Sequence, residues 1–268
     1  MTSILRFLAT ALLVPVLLTG CDLEEPTPVD PAQSPVYLNK VSTSQGDERQ
    51  FVYNSQGWLT QIIGKGRYSL NDNQASTSNV LFDNWRRIAY VITDGSGKDS
   101  ENVYHYTSEH MLYKLEELVD GTVERYHTFE YDANRLLKTR YSFYKDASVT
   151  DAPRATNKLV YTYDASSNVT EIASYHKPGL TSDWQLTQTQ KFTDYDSKTG
   201  VQHMTDSLFT PTIVLQRNNP GKVTTLLASG EQRVTVYTYQ YNERNLPVKR
   251  IASPSQGNVE ETTFTYQF

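Results

Sequence analysis

The chain has 268 residues, enough for one large domain or two small ones and far short of a multidomain machine. A formal net charge of −5 argues against a nucleic-acid binder, which needs a basic footprint, and a mean hydropathy of −0.55 argues against a polytopic membrane protein. A single cysteine excludes disulfides within the chain and cysteine-based zinc clusters, and neither a metal nor a cofactor is expected. Nineteen tyrosines against nine phenylalanines favour a pleated, half-exposed β surface, where the ring packs and the hydroxyl stays wet.

Residues 1–20 read as an export signal: Arg6 and the free amine are positive, and Phe7 to Leu18 is almost continuously apolar yet too short to span a bilayer comfortably. The run ends on Leu18-Thr19-Gly20-Cys21, which resembles a bacterial lipobox. That resemblance implies lipidation of Cys21, at about 0.8 kcal/mol of membrane affinity per buried CH₂. The alternative is an ordinary signal peptide with a chance cysteine, but the lone Cys stands at the one position the motif requires. Residues 21–35 hold Asp22-Leu23-Glu24-Glu25 and then Pro26, Pro28, Pro31 and Pro35, the composition of a semi-rigid tether. The acidic cluster is similar to the surface-export signal of lipoproteins from Bacteroidota-type bacteria. A generic solvated linker and an Asp-directed inner-membrane retention signal are the alternatives. The expected location is the outer membrane or cell surface, lipid-anchored.

Residues 36–268 carry one recurring pattern: aromatic-x-aromatic-Asp/Asn, a short polar turn, an aliphatic residue, then an alternating strand. Phe51-Val52-Tyr53-Asn54, Phe129-Glu130-Tyr131-Asp132, Tyr161-Thr162-Tyr163-Asp164 and Tyr239-Gln240-Tyr241-Asn242 are the clearest copies. Tyr104-His105-Tyr106-Thr107 is a further copy, and weaker ones are anchored at Asp83, Asp196 and Asn218. The chain stops on Phe264-Thr265-Tyr266, the first half of another. Residues i and i+2 of a strand share a face, so both aromatics of a copy point the same way. Asp or Asn then starts a turn, and a Gly or Asn three or four positions on, such as Gly57, Asn134, Asn168 or Asn245, tolerates a left-handed backbone. Each copy is a strand–turn–strand, and consecutive copies pair antiparallel. Met111, Leu112, Leu115, Leu118 and Val119 also fit a helical stripe, but Asp120-Gly121 is a strong hairpin turn, and the pattern places a strand there.

The Tyr-Asp-x-x-Gly/Asn-x-Leu pattern resembles the YD repeat of the RHS family and of related repeat-bearing lipoproteins of Bacteroidota. The resemblance implies a β-meander. In large RHS proteins such strands spiral into a shell around a cargo, but this chain has too few copies for a shell and no cargo domain. The expected fold is all-β: roughly sixteen antiparallel strands in hairpin order, forming a long, twisted, curled or partly closed sheet whose final strand is an edge.

Chemistry is sparse. No His-Glu-x-x-His, Gly-x-Ser-x-Gly or Ser-x-x-Lys motif occurs. His105 and His127 lie among strand aromatics and read as packing partners. Glu116/Glu117, Asp194/Asp196 and Glu260/Glu261 are paired carboxylates, and the adjacent members of the first and last pairs face opposite sides of a strand. Asp94 to Asp99 reads as a plain hairpin loop rather than a calcium site. Asp206-Ser207-Leu208 matches a short O-glycosylation pattern of Bacteroidota, making Ser207 a candidate modification site. Trp58, Trp85 and Trp184 each lie near a turn and are candidates for stacking on a sugar or protein ligand, against the plainer reading of core packing. No catalytic residue emerges, and the chain reads as not an enzyme. The leading expectation is a lipid-anchored cell-envelope protein acting as a non-catalytic binding or structural module, with a membrane contact through its N-terminal lipid, a glycan or envelope protein as partner, and no nucleic acid. The alternatives are a glycan-binding accessory of a polysaccharide-uptake system and, last, a glycoside hydrolase.

Overall fold

The computed structural model describes residues 35–69, 75–94, 99–146, 150–179, 181–201 and 210–267. Cys21, its tether and Ser207 lie outside them. The strands, in chain order, are β1 (Tyr37–Thr43), β2 (Glu48–Tyr53), β3 (Leu59–Lys65), β4 (Ser76–Phe82), β5 (Ile88–Thr93), β6 (Ser100–Tyr106), β7 (Leu112–Val119) and β8 (Thr122–Tyr131). They continue as β9 (Leu137–Asp146), β10 (Thr150–Tyr163), β11 (Val169–His176), β12 (Gln185–Tyr195), β13 (Pro220–Leu227), β14 (Gln232–Tyr241), β15 (Pro247–Pro254) and β16 (Glu260–Gln267). Leu112–Val119 thus resolves as strand, with Met111 just before it. Every strand pairs antiparallel with its sequence neighbour, and β1 pairs with β16, so the sheet is a closed barrel rather than a partly closed sheet. The last strand is therefore no edge.

The closure has a simple cause. In five copies the second aromatic stands opposite the first aliphatic residue after the turn: Tyr53 with Leu59, Phe82 with Ile88, Tyr106 with Leu112, Tyr131 with Leu137, and Tyr163 with Val169. A β-bulge follows at each of these pairs, which adds local twist and helps the sheet curl. Tyr266 at the end of the chain faces Leu38 at its start in the same way, with the same bulge. One copy is split between the two ends of the chain, and pairing its halves closes the barrel.

The turns obey one hydrogen-bond rule. The side-chain oxygen of the Asp or Asn accepts from the backbone N–H two and four residues on, at 2.8–3.0 Å for Asn54, Asp83, Asp132, Asp164 and Asn242. The left-handed residue is always the third after the anchor: Gly57, Arg86, His110, Arg135, Ser167 and Asn245. Asn134 and Asn168 are not that residue, contrary to the sequence expectation, and non-glycine residues take the strain because the capped turn leaves no alternative. Gly57 is the one glycine among them, and a Cβ there would lie 2.0 Å from the Tyr37 hydroxyl.

Tyrosine hydroxyls then tie copy to copy. Tyr53, Tyr106, Tyr131, Tyr163, Tyr195, Tyr239 and Tyr266 donate to the backbone carbonyls of Leu38, Ile88, Leu112, Leu137, Val169, Pro220 and Pro247, at 2.5–3.1 Å. Each acceptor lies on the preceding strand, at the end carrying the turns. Phe82 has no hydroxyl and leaves one gap in this ring of latches.

The Asn218 anchor is not a turn of its own. Asp196 accepts from Lys198 N–H at 2.9 Å and Asn219 N–H at 3.1 Å, and its own N–H reaches the Asn219 carbonyl at 3.0 Å. Asn219 fills the place of the fourth residue after the anchor, so the sixth turn is regular but interrupted by a long insertion. Its described parts, residues 199–201 and 210–218, lie over the turn end of the barrel. Thr212 Oγ1 accepts from Leu112 N–H, the Leu215 carbonyl accepts from Val169 N–H, and buried Asn168 holds the N–H groups of Arg217 and Asn218.

Val201 and Ile213 of the insertion join a core built from Leu38, Phe51, Ile62, Val91, Leu115, Phe129, Tyr161 and Phe264. Sixteen strands would otherwise leave an open lumen. Further from the turn end the enclosed face turns polar: Ser78 bonds Thr93 at 2.7 Å, and His127 bonds Ser142 at 2.8 Å and Glu117 at 2.9 Å. The outward faces carry Gln50, Gln61, Lys114, Glu116, Lys158 and Lys191, with Gln61 bonded to Asn79. Exposed large hydrophobics, Leu81, Tyr90, Leu226 and Val236 among them, stand among these polar residues.

Candidate binding face at the turn end

Two of the three tryptophans meet at the turn end. Trp58 closes the β2–β3 turn and packs edge-on to Phe82 at 5.0 Å, filling the neighbourhood of the missing latch, with Arg86 5.3 Å over its ring. Trp85, in the β4–β5 turn, is 68% exposed. Its indole is held by Arg87 at 4.9 Å and by His110 at 6.5 Å. Arg87 is fixed in turn by Asp83 at 2.6 Å, by the Tyr106 ring at 4.2 Å and by His110 Nδ1 at 3.1 Å. Burial pushes the Asp83 carboxyl up, but the backbone N–H and guanidinium of Arg87 outweigh it and hold it below the usual carboxylate range. Asp83 is therefore an anion that orients Arg87 and, through it, the exposed indole.

A cleft of about 370 Å³ opens beside this cluster, between the β6–β7 and β8–β9 turns and the insertion. Glu109, His110, Asn134, Arg135, Thr212 and Arg217 supply its polar lining, and Leu137 and Ile213 its floor. Arg135 Nη2 donates to the Glu109 carbonyl at 3.0 Å, and the Ser108 hydroxyl keeps the Glu109 carboxyl below its usual range. The cleft exists only because the insertion folds back over the turns, which no local sequence signal announces.

Trp184 does not belong to this face. It lies in the β11–β12 connection at the opposite end, against Tyr141 at 6.1 Å and Lys158 at 5.0 Å. The paired carboxylates split as strand geometry demands: Glu116 takes Lys114 and His105 on the outside, while Glu117 takes His127 and Arg125. Glu260 pairs with Arg67 and Glu261 with Lys249, and Asp194 lies near Lys222 at 3.8 Å. Each acid is thus committed to a cation or to a turn. Among the described residues no group of three or more His, Cys, Asp or Glu is placed to hold a metal ion.

The chain matches no protein-family model and no curated protein sequence. Solved structures do resemble it. A porin-like protein from Bacteroides uniformis superposes with a TM-score of 0.56 at 15% identity, over 86% of this chain and 96% of the other. A porin-like protein from Bacteroides vulgatus gives a TM-score of 0.47 at 14% identity, over 86% and 99%. A chain of the TcdB2–TccC3–Cdc42 crystal structure gives 0.33 at 12% identity, over 81% of this chain and only 14% of that longer chain. At these identities the likeness to the first is one of fold, a closed antiparallel β-barrel.

Proposed function

We propose that the chain is a non-catalytic binding module of the bacterial cell envelope, carried on a lipid at Cys21, with its turn end as the binding face. The observation that carries this reading is Trp85, an indole two-thirds exposed yet fixed in orientation by Arg87 and by His110, which itself lines a cleft. A large exposed ring held by cations is suited to stack on an apolar face of a ligand, while Asn134, Arg135 and Arg217 offer hydrogen-bond donors beside it. A carbohydrate chain, flat and apolar on one face and rich in hydroxyls at its rim, suits that pairing. The porin-like description of two structural neighbours suits an envelope location as well. Conduction is not part of the proposal, because Val201 and Ile213 of the insertion pack into the barrel core.

The test is a screen of purified barrel domain against envelope and dietary glycans, repeated with Trp85→Ala. At least one glycan should bind, with affinity falling roughly tenfold in the variant while the melting temperature stays put. A glycan that binds both forms alike would sink the turn-end reading. Absence of any glycan binding, with cross-linking of the Trp85 face to an envelope protein in intact cells, would replace the carbohydrate by a protein partner.

A further inference from the structure

The closing seam fixes where the chain enters the barrel. Tyr266 faces Leu38 as other second aromatics face the residue after their turn, so the residues from Pro35 onward enter where a turn would stand. The Tyr37 ring lies 5.0 Å from that of Tyr53, and its hydroxyl abuts Gly57 of the β2–β3 turn. Trp58 of that turn packs on Phe82 and lies under Arg86, which puts the β4–β5 turn and exposed Trp85 next along the rim. Neighbouring turns are two strands apart, about 10 Å, so Trp85 stands on the order of 20 Å round the rim from the entry point. The same arc is basic. The left-handed residue, third after the anchor, is Arg86, then His110, then Arg135 in three successive turns of this rim, and all three are exposed. Arg87 stands beside them on the Trp85 ring. Among the acids there, Asp83 is held by Arg87, Asp132 caps its own turn, and the Glu109 carboxyl takes the Ser108 hydroxyl.

Under the reading proposed above, Cys21 carries the lipid, and residues 21–34 join it to this rim. A chain of that length reaches about 50 Å at full stretch and roughly 20 Å on average when flexible. Turning the rim away from the membrane would draw the tether back along a wall as long as β12, whose 11 residues span about 35 Å. That uses most of the reach, so the tether is freest with the rim towards the membrane. A rim so placed meets headgroups before anything dissolved. Its side chains suit that layer, since an indole packs its apolar body while its N–H stays wet, and the fork of Arg matches a phosphate. We infer that the ligand of the turn-end face is the phosphorylated saccharide headgroup of a glycolipid in the same membrane that carries Cys21. Trp85 stacks on a sugar ring, and Arg86 and Arg135 meet the phosphate groups. This rests on the binding-face reading and adds to it the source of the sugar and its charge.

The test uses the full chain acylated at Cys21, reconstituted into phosphatidylcholine vesicles with or without rough lipopolysaccharide. Quenching of tryptophan emission by acrylamide is measured, and the part missing from Trp85→Phe is that of Trp85. Trp85 should be shielded when lipopolysaccharide is present and open to acrylamide in plain vesicles. Arg86→Gln combined with Arg135→Gln should lose that shielding while circular dichroism stays the same. Doubling residues 22–34 should raise the lipopolysaccharide content needed for half-shielding roughly threefold, because effective concentration falls as about the −3/2 power of tether length. The inference is overturned if Trp85 stays open with lipopolysaccharide, if plain vesicles shield it equally, or if the double arginine variant or the longer tether changes nothing. Soluble neutral oligosaccharides added to plain vesicles separate this inference from the reading beneath it. Shielding by them and not by lipopolysaccharide keeps the binding face and rejects the membrane ligand, whereas shielding by neither rejects both.

Discussion

The turn at Asp132 and the turn at Asp196 make the same hydrogen bonds with very different lengths of chain. In the first, Asp132 takes the N–H groups of Asn134 and Leu136 at 2.9 Å, and the strand returns at once. In the second, Asp196 takes Lys198 and then Asn219, and of the described residues between them Val201 and Ile213 enter the core. The turn is defined by its acceptor oxygen rather than by its loop length, so an insertion can be accepted without disturbing either flanking strand. The interrupted turn carries extra load. Tyr241, freed from the latch role that Tyr239 takes over, donates to Asp196, while Asn219 Nδ2 reaches the Thr199 carbonyl at 2.9 Å and its Oδ1 accepts from Val201 N–H at 2.8 Å.

Removing the insertion is the sharpest way to test this equivalence. A chain in which Lys198 joins directly to Asn218 restores a five-residue turn. It should still fold as a barrel, but less stably by on the order of 5 kcal/mol for the lost core contacts of Val201 and Ile213. Failure to fold at all would show that the insertion is part of the nucleus rather than an ornament, and denaturant unfolding followed by circular dichroism reads the difference. Next in size, Asp196→Ala should cost about 3 kcal/mol, against about 1–2 kcal/mol for Asp132→Ala, because Asp196 also holds Asn219 Nδ2 and Tyr241. Equal losses in the two variants would mean the interrupted turn has no special weight.

The latches supply the third comparison. Tyr131→Phe should lose about 1 kcal/mol, and Phe82→Tyr should gain a similar amount if its hydroxyl finds the Leu59 carbonyl, both measured by urea unfolding. A pH series sharpens the same point. Burial pushes the Tyr53 and Tyr131 hydroxyls up to about 12, and those of Tyr106, Tyr163, Tyr195, Tyr239 and Tyr266 are raised further. Their folded values exceed the unfolded value of roughly 10. Their contribution is therefore complete below that pH and is lost as pH rises through the folded values. Tyrosinate absorbance should rise together with loss of structure, not before it.

The smallest effect is at acid pH. Burial pushes the Glu117 carboxyl up, but hydrogen bonds from His127 and Arg125 outweigh it and leave it lowered. Its contribution is present above the ordinary carboxylate value and lost as pH falls through the folded one. Glu117→Gln should flatten that part of the melting-temperature profile.

Most of the wall was legible in the sequence, because every copy states its own strand, turn and return: Tyr131-Asp132 and Leu137 say where the chain reverses without reference to anything distant. Closure was not legible from any one copy. It rests on Tyr266 meeting Leu38, and although both half-copies are visible at the two ends, nothing local says that they meet. The insertion misled for the opposite reason, since Leu215-x-Arg217-Asn218 imitates a copy while Asn168 and Asp196 use its backbone as a partner. Of the three candidate tryptophans, proximity of turns in sequence placed Trp58 and Trp85 together, whereas Trp184 went to the other end with its hairpin. That the chain enters the barrel near Trp85 could not be seen until the seam was.

The split copy also sets a timetable for the molecule's birth. Ser42 and Thr263, whose hydroxyls lie 3.0 Å apart, are separated by 221 residues. As the chain is delivered from its N-terminus, β1 gains β2 early but waits for almost the whole polypeptide before its other edge is satisfied. Throughout that interval it offers bare amide and carbonyl groups to any passing strand. The newborn protein is thus most vulnerable to mispairing just before it is complete, and a holding chaperone during export would have one strand above all to shield.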